Sequence, residues 1–301
     1  MPVRRSSDIL PAPLQTSACP LCGGASSRAV FRFLRRRTAA ATGRPTEELY
    51  GRAGPLVRCT DCGLVRQDPP AHAPYEDAED PEYLRELEGL RATFRRTLET
   101  IEHYRLPPGR LLDVGAGPGV LVEEAGARGW DAIGCELSSW AVDAARRPGV
   151  DVRMSTLADL DEPDGSFDAA ALGDVIEHVP EPLQLMRRLH ALLKPGGVVF
   201  LATPNVDSLV AKTLRRWWWS VLPGHIWLFS RTTLHRLVCD AGFEVVRTST
   251  HPKTFSLAYY AGRLGGYNGV VGRAARRLAG SRRLVTPDFR DRVAVVARKP
   301  G

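Results

Sequence analysis

From Arg110 to Arg298 the chain repeats one pattern: a short apolar run, a punctuated turn, then a stretch with helical spacing. Apolar runs fall at 110–115 (RLLDVG), 131–136 (DAIGCE), 150–154 (VDVRM), 167–173 (FDAAALG), 197–203 (GVVFLAT), 243–249 (FEVVRTS) and 292–298 (RVAVVAR). Helices fit between most of these runs. Strands joined through helices return to the same end of a sheet and run parallel, with the helices covering its faces. The pattern predicts an α/β fold, a doubly wound, seven-stranded, mostly parallel sheet. The last run has no long helix before it and is expected to enter antiparallel at the sheet edge.

A second constraint lies upstream. Cys19 and Cys22 (CPLCGG) and Cys59 and Cys62 (CTDCG) form two C-x2-C pairs separated by 36 residues. Two residues between thiols let a tight turn aim both sulfurs at one ion. Four thiolates around Zn2+ close its shell and leave no position for chemistry. The pattern predicts a small structural zinc ribbon over residues 1–70. Paired disulfides are the alternative; MPVRRSSDIL has no apolar leader core, which favours a reducing, cytoplasmic setting. Residues 71–105 read as a Pro- and acid-rich linker, then an amphipathic helix with Leu84, Leu87, Leu90, Phe94, Leu98 and Ile101 at helical spacing. Residues 106–301 form the main domain. Cys135 and Cys239 stand alone and read as small buried hydrophobes.

The 301 residues carry a net charge of +7, with both ends basic and the middle acidic. Basic ends can draw a phosphate-bearing partner, a nucleotide sugar or RNA; a solvated Arg-rich surface is the plainer reading. No apolar run approaches the roughly 18 residues that span a bilayer, so no transmembrane segment is expected.

LLDVGAGPGVL (111–121) sets Gly115, Gly117 and Gly119 directly after the first of the seven strands, where a helix begins. Glycines there let the chain turn sharply and let a ligand touch backbone. Glu136 ends the next strand, a position suited to hydrogen bonds with a ribose diol. The dinucleotide fingerprint G-x-G-x-x-G would need glycine at 120, which is Val120. The spacing is instead G-x-G-x-G with Asp113 just before it, and an acid beside the loop suits a cationic or amine-bearing ligand.

In these segments the chain resembles class I S-adenosylmethionine-dependent methyltransferases. LLDVGAGPG followed by CELS is similar to their first two motifs, and LLKPGGVVFLATPN (192–205) to their strand-five motif. SFDAAALGDVIEHVPEP (166–182) is similar to the strand-four motif of the ubiquinone-biosynthesis-like branch. GHIWLFSRTTLHRLVCDAGFEVV (224–246) is similar to the segment that follows in its small-molecule and sugar methyltransferases, where an N-terminal zinc ribbon also recurs. The resemblance covers residues 15–70 and 75–300. It implies S-adenosyl-L-methionine as cofactor. Asp113 would lie near the methionine amino end, and Gly115, Gly117 and Gly119 would pass under the cofactor. Glu136 would hold both ribose hydroxyls, with Leu137 and Leu157 against the adenine.

Methyl transfer from a sulfonium is an in-line displacement, so the protein chiefly aligns the acceptor and excludes water. A hydroxyl acceptor also needs a base. Of seven histidines, two have supporting context. His178 follows Glu177 just after the fourth strand, where a parallel sheet keeps its ligand crevice; fixing that loop is its competing role. His225 follows Pro-Gly in RRWWWSVLPGHIWLF. Asp174, at the tip of the fourth strand, is a third polar group aimed at the crevice. Residues 206–230 read as an aromatic lid over the acceptor, with a homodimer contact as the alternative. At helical spacing Trp217, Trp218 and Trp219 fan over about 200°, so one faces protein and another a pocket or partner. Residues 252–288, with Tyr259, Tyr260 and Tyr267, read as a helical insertion that completes the lid or leans on a membrane surface.

The expected function is methylation of a small-molecule acceptor, an O-methylation of a sugar or natural-product intermediate, with His225 or His178 as base. Two rivals stand beside it. One is an RNA methyltransferase that binds nucleic acid through the ribbon and the basic ends, although the strand-four motif lacks the Asn/Asp-Pro-Pro-aromatic signature. The other is a non-catalytic docking module that only binds the cofactor.

Overall fold

The computed structural model describes residues 18–31, 53–69, 75–76, 79–265, 277–278 and 280–301. The long loop expected between the two cysteine pairs lies largely outside the described residues, as do Tyr267 and the centre of the 252–288 insertion.

Three antiparallel strands follow or flank the cysteine knuckles: β1 (Ser27–Phe31), β2 (Leu56–Cys59) and β3 (Val65–Gln67). The helix expected over 82–105 is broken into α1 (Pro81–Leu84) and α2 (Leu87–Glu102). The break has a cause in Glu86, which is buried between them. Its carboxylate accepts from the amide and hydroxyl of Ser256 at 2.7 and 2.6 Å, which holds the junction against a distant segment. Strands and helices then alternate as β4 (Arg110–Val114), α3 (Val120–Gly126), β5 (Asp131–Glu136), α4 (Ser139–Ala145), β6 (Asp151–Met154), β7 (Phe167–Gly173), α5 (Pro182–Leu192) and β8 (Leu193–Pro204). Next come α6 (Leu209–Leu214), a 3-10 turn at Arg215–Trp217, β9 (Trp227–Leu228), α7 (Arg231–Asp240) and β10 (Glu244–Ser249). The remaining elements are β11 (Phe255–Ser256), α8 (Leu257–Gly265), β12 (Leu284–Val285) and β13 (Arg292–Arg298). Ser230 caps α7 as its type suggests, in a reciprocal pair with Thr233.

The main sheet has the order β10-β13-β8-β7-β4-β5-β6. Its central strands pair in parallel, and β13 runs antiparallel to both neighbours. The seven-stranded, doubly wound sheet read from the sequence is thus present. The last strand is antiparallel as expected, but it does not lie at the edge. It slots between β8 and β10, and β10 takes the edge. The burial explains why: the five central residues of β13 are all buried, as a strand with neighbours on both sides requires, while no residue of β10 is more than half-buried.

The ribbon borrows its fourth strand from far along the chain. β9 pairs with β3, setting Val65 opposite Leu228 and Arg66 opposite Trp227. One hydrophobic core runs through this junction, from Cys19, Leu21 and Leu64 across Trp227 and Phe229 to Leu172 and Leu237. Burying a side chain of this size stabilises by about 1.5–3 kcal/mol, so ribbon and sheet are packed as one body. Under α2 and α3 a second core holds Leu98, Ile101, Leu121, Trp130 and Phe200. Cys135 is buried as expected, whereas Cys239 is exposed on α7. Among the described residues no helix is long and apolar enough to cross a membrane.

Candidate active site

β4 and β5 end side by side, and the glycine loop opens beyond them. Gly115 (φ 72°) is pressed against a neighbour: a Cβ there would sit 2.5 Å from Val175 Cγ2. Gly117 (φ 50°) faces open space, where a Cβ would meet nothing within 4 Å. The first glycine therefore serves close packing, and the second leaves bare backbone on which a ligand can lie. Gly119 is the N-cap of α3. Glu136 leaves β5 and turns back over this loop. One carboxylate oxygen accepts from Gly117 N at 2.8 Å; the other accepts from Leu137 N and Ser138 N at 2.7 and 2.9 Å. Charge-assisted bonds to three amides fix the carboxylate before any ligand arrives. Leu137 stands exposed beside it, while Leu157 is buried in the core with Leu160 and Ile176.

Asp113, Gly115, Gly117 and Asp174 line one narrow cavity together with Tyr83, His251, Lys253 and Arg292. A roomier cavity, about 240 Å³, lies between the ribbon and α6 and is lined by Leu56, Trp218 and Leu228, away from the glycine loop. Burial, aided by the charge of Glu136, pushes the Asp113 carboxyl well above the usual carboxylate range. A cationic ligand brought into the cavity would favour its ionised form. Asp174 has φ 58°, a left-handed conformation that costs a non-glycine residue about 1–3 kcal/mol. Ion pairs with both Lys253 and Arg292 hold it there. Burial alone would raise its pKa; Arg292 and then Lys253 outweigh that and hold the carboxyl well below the usual range. Asp174 is therefore held ionised as an anchor for two cations.

His178 and His225 meet edge to face, with ring centroids 4.7 Å apart. Neither lines the cavity. Nδ1 of His178 lies 2.8 Å from Gly224 O and also meets the Tyr75 hydroxyl. A carbonyl can only accept, so Nδ1 carries the hydrogen and Nε2 the lone pair. Burial pushes His178 down to about 4, against the opposing pull of the Gly224 carbonyl and the Asp174 charge. Burial, then the neighbouring His178, push His225 well below the usual imidazole value. Beside them Glu177 is fully buried. One of its oxygens accepts from Thr203 Oγ1 at 2.9 Å. Its Oε1, like Nδ1 of His225, has no hydrogen-bond partner among the described residues. Burial and the charge of Asp174 push Glu177 up to about 8, which favours its protonated form. The ligating atoms of Glu177, His178 and His225 lie within 4.8 Å of one another, a spacing that can share a proton or hold one divalent ion.

His251, Lys253 and Arg292, none of them marked by a motif, also line the cavity. His251 packs against Phe200 at 5.0 Å between centroids, and burial pushes it down to about 3. For Arg292 a signal existed: a charge opening the otherwise buried strand RVAVVAR. For Lys253 the sequence holds none.

The aromatic stretch divides by position. Trp218 is buried among Leu56, Val65 and Leu228, and Trp227 and Phe229 are buried in the main core. Trp217 is 41% exposed. Indole nitrogens of Trp218 and Trp219 both donate to Asp291 Oδ2, at 3.3 and 2.7 Å. Most of these rings therefore fill the seam between ribbon and sheet, and His225 is the polar group the stretch delivers beside His178.

In the ribbon, Sγ atoms of Cys19 and Cys62, and of Cys22 and Cys59, are 3.6 Å apart, and all four sulfurs lie within 4.8 Å of one another. Zn–S bonds of about 2.3 Å in a tetrahedron set sulfurs roughly 3.8 Å apart, so the set fits one zinc ion. None of the four is in a disulfide.

The sheet order, the glycine loop after β4 and the acid ending β5 define a Rossmann-like methyltransferase fold. Residues 83–248, more than half the chain, match the family described as a methyltransferase domain, and the chain belongs to that family. Over 107 residues it is 41% identical to a ubiquinone biosynthesis O-methyltransferase of Xanthomonas campestris pv. campestris, covering 33% of this chain and 45% of that protein. Over 111 residues it is 38% identical to the Azotobacter vinelandii protein of the same name, covering 35% and 48%. The chain thus spans about half the length of the curated relatives it matches. Among solved structures, a SAM-dependent methyltransferase from Archaeoglobus fulgidus is 19% identical over 73% of this chain and 100% of that one, with a TM-score of 0.51. An N-methyltransferase from Haemonchus contortus, solved with phosphomonomethylethanolamine and S-adenosylhomocysteine, is 17% identical over 71% and 57%, with a TM-score of 0.50. At these identities the likeness establishes the fold.

Proposed function

We propose that the protein transfers a methyl group from S-adenosylmethionine to a hydroxyl of a small-molecule acceptor, a sugar or other natural-product intermediate. The observation that carries this reading is the Glu136 carboxylate, set in advance over the open backbone of Gly117 and next to a cavity walled by Asp113. Glu136 would hold the ribose hydroxyls, Leu137 would flank the adenine and Asp113 would face the cationic amino end. The cofactor supplies an electrophilic methyl on a positively charged sulfur. On the acceptor side His225, supported by His178, takes the hydroxyl proton. Burial keeps these rings neutral beforehand, which leaves a lone pair free. His251 is the second candidate base, because it lines the cavity with Asp113.

Zinc held by Cys19, Cys22, Cys59 and Cys62 would be structural, since the four thiolates leave no open position. Free thiols at this spacing fit a reducing cytoplasm. The names of the curated relatives support a small-molecule acceptor. Turnover and S-adenosylhomocysteine affinity of His225→Ala, His178→Ala and His251→Ala test the assignment. Loss of roughly 100-fold or more in turnover for His225→Ala, at unchanged affinity, is expected of a general base. Full turnover in that variant with loss in His251→Ala would transfer the role to His251.

A further inference from the structure

We infer that Gln67, at the end of the ribbon's β3, is the positioning residue that sets His225 and so couples the zinc ribbon to the acceptor side. The inference rests on the reading of His225 as an acceptor-side group. Gln67 ends β3, five residues after Cys62, and is 1% exposed. Its side-chain nitrogen lies 2.8 Å from three backbone carbonyls, Leu222 O, Pro223 O and His225 O, which share its two N–H donors. Its side-chain oxygen accepts from Gly54 N at 2.9 Å, which fixes the amide's orientation from the ribbon side. Its main-chain N–H donates to Ile226 O at 3.1 Å. One buried side chain thus gathers the whole turn that carries His225.

Within the turn the main-chain bonds are few among the described residues, and the His225 ring meets the Ser220 backbone. His225 N donates to Leu222 O and Ile226 N to Gly224 O, both at 3.1 Å, and the β3–β9 pairing begins only at Trp227. On its far side the turn is what His178 leans on, through Gly224 O. The next residues continue the chain of contacts: Trp227 N donates to Glu177 O at 3.1 Å and Trp227 Nε1 to Val179 O at 2.7 Å. Cys59 and Cys62 set the β2–β3 hairpin, Gln67 carries that position to the His225 turn, and the turn fixes the loop of Glu177 and His178. The cofactor side is built separately. The amides of Gly115 and Ala116, in the loop after β4, go to Cys135 O, and that of Gly117 to Glu136, both acceptors on β5. By these hydrogen bonds the ribbon reaches the acceptor side directly, whereas the amides of the glycine loop are held by β5.

Gln67→Glu tests this, because it keeps the shape and the acceptor for Gly54 but points an oxygen at three carbonyl oxygens. Histidine imidazoles are followed by NMR with isotope-labelled histidine, His225 being assigned with His225→Gln. The His225 and His178 signals are expected to shift or broaden while those of His190 and His235 stay. S-adenosylhomocysteine affinity is expected to hold within about twofold, as for distant sites. An unmoved His225 signal, or cofactor affinity that falls with it, would overturn the inference. Should Gln67→Glu fail to fold, hydrogen exchange on the wild-type chain with and without a zinc chelator decides. Amides of 222–228 are expected to lose protection together with those of 56–67, while 111–120 keep theirs. Protection of 222–228 that survives metal removal would contradict the inference. Neither readout needs turnover, so its failure is distinct from that of the His225 base assignment.

Discussion

His178 and His225 stand edge to face, 4.7 Å between centroids, and both are held neutral by burial while the Asp174 charge nearby pulls the other way. A protonated ring and a neutral one in this space therefore differ in stability as well as in chemistry. His178 is held near 4 in the folded chain and His251 near 3, both below the ordinary value. Between those values and about 6.5 the unfolded chain binds protons that the folded chain does not, so stability falls as pH falls through that window. Glu177, raised to about 8, has the opposite sign: the folded chain holds its proton, and stability falls as pH rises from the ordinary carboxyl range toward 8. Thermal melts across pH are expected to show both limbs. His178→Gln should flatten the acid limb and Glu177→Gln the alkaline one. Parallel profiles in wild type and both variants would refute these assignments.

The three consecutive tryptophans should separate in stability. Trp218 is 1% exposed and Trp217 is 41% exposed. Trp218→Ala is expected to cost about 3–5 kcal/mol, the range for emptying a large core site. Trp217→Ala should stay within about 0.5 kcal/mol. Denaturant unfolding measures both, and equal effects would mean that the burial pattern is wrong.

Glu136 ties the glycine loop to the end of β5. Glu136→Ala removes its acceptor from Gly117 N, Leu137 N and Ser138 N. Charged hydrogen bonds contribute about 1.5–3 kcal/mol each, so S-adenosylhomocysteine affinity should drop by roughly 10-fold or more. Calorimetry reads this directly. Unchanged affinity would remove Glu136 from the cofactor site.

What could be read from the chain follows the range of the interactions. Strands of the main sheet show as local apolar runs, and the C-x2-C pairs and the glycine loop are set by spacings of a few residues. The β9 pairing is two residues long and joins Val65 to Leu228, so no local pattern marks it. The same holds for Gln67, whose side-chain nitrogen finds its partners beyond position 220. Lys253 and Arg292 reach Asp174 from separate segments, and only the folded sheet brings the three together. RVAVVAR did carry a usable sign, since an unbroken apolar run suits an interior strand better than an edge. The tryptophan run carried a misleading one, because aromatic density fits a packed seam as well as a pocket wall.

Methyl-labelled S-adenosylmethionine, incubated with the purified chain and an extract of its own host divided into small-molecule and RNA fractions, tests the central proposal most directly. Label is expected in the small-molecule fraction and is expected to vanish with His225→Ala. Label in RNA would contradict the small-molecule reading and make the ribbon and the basic ends a nucleic-acid surface. Label in neither fraction, with cofactor binding intact, would point to a docking module.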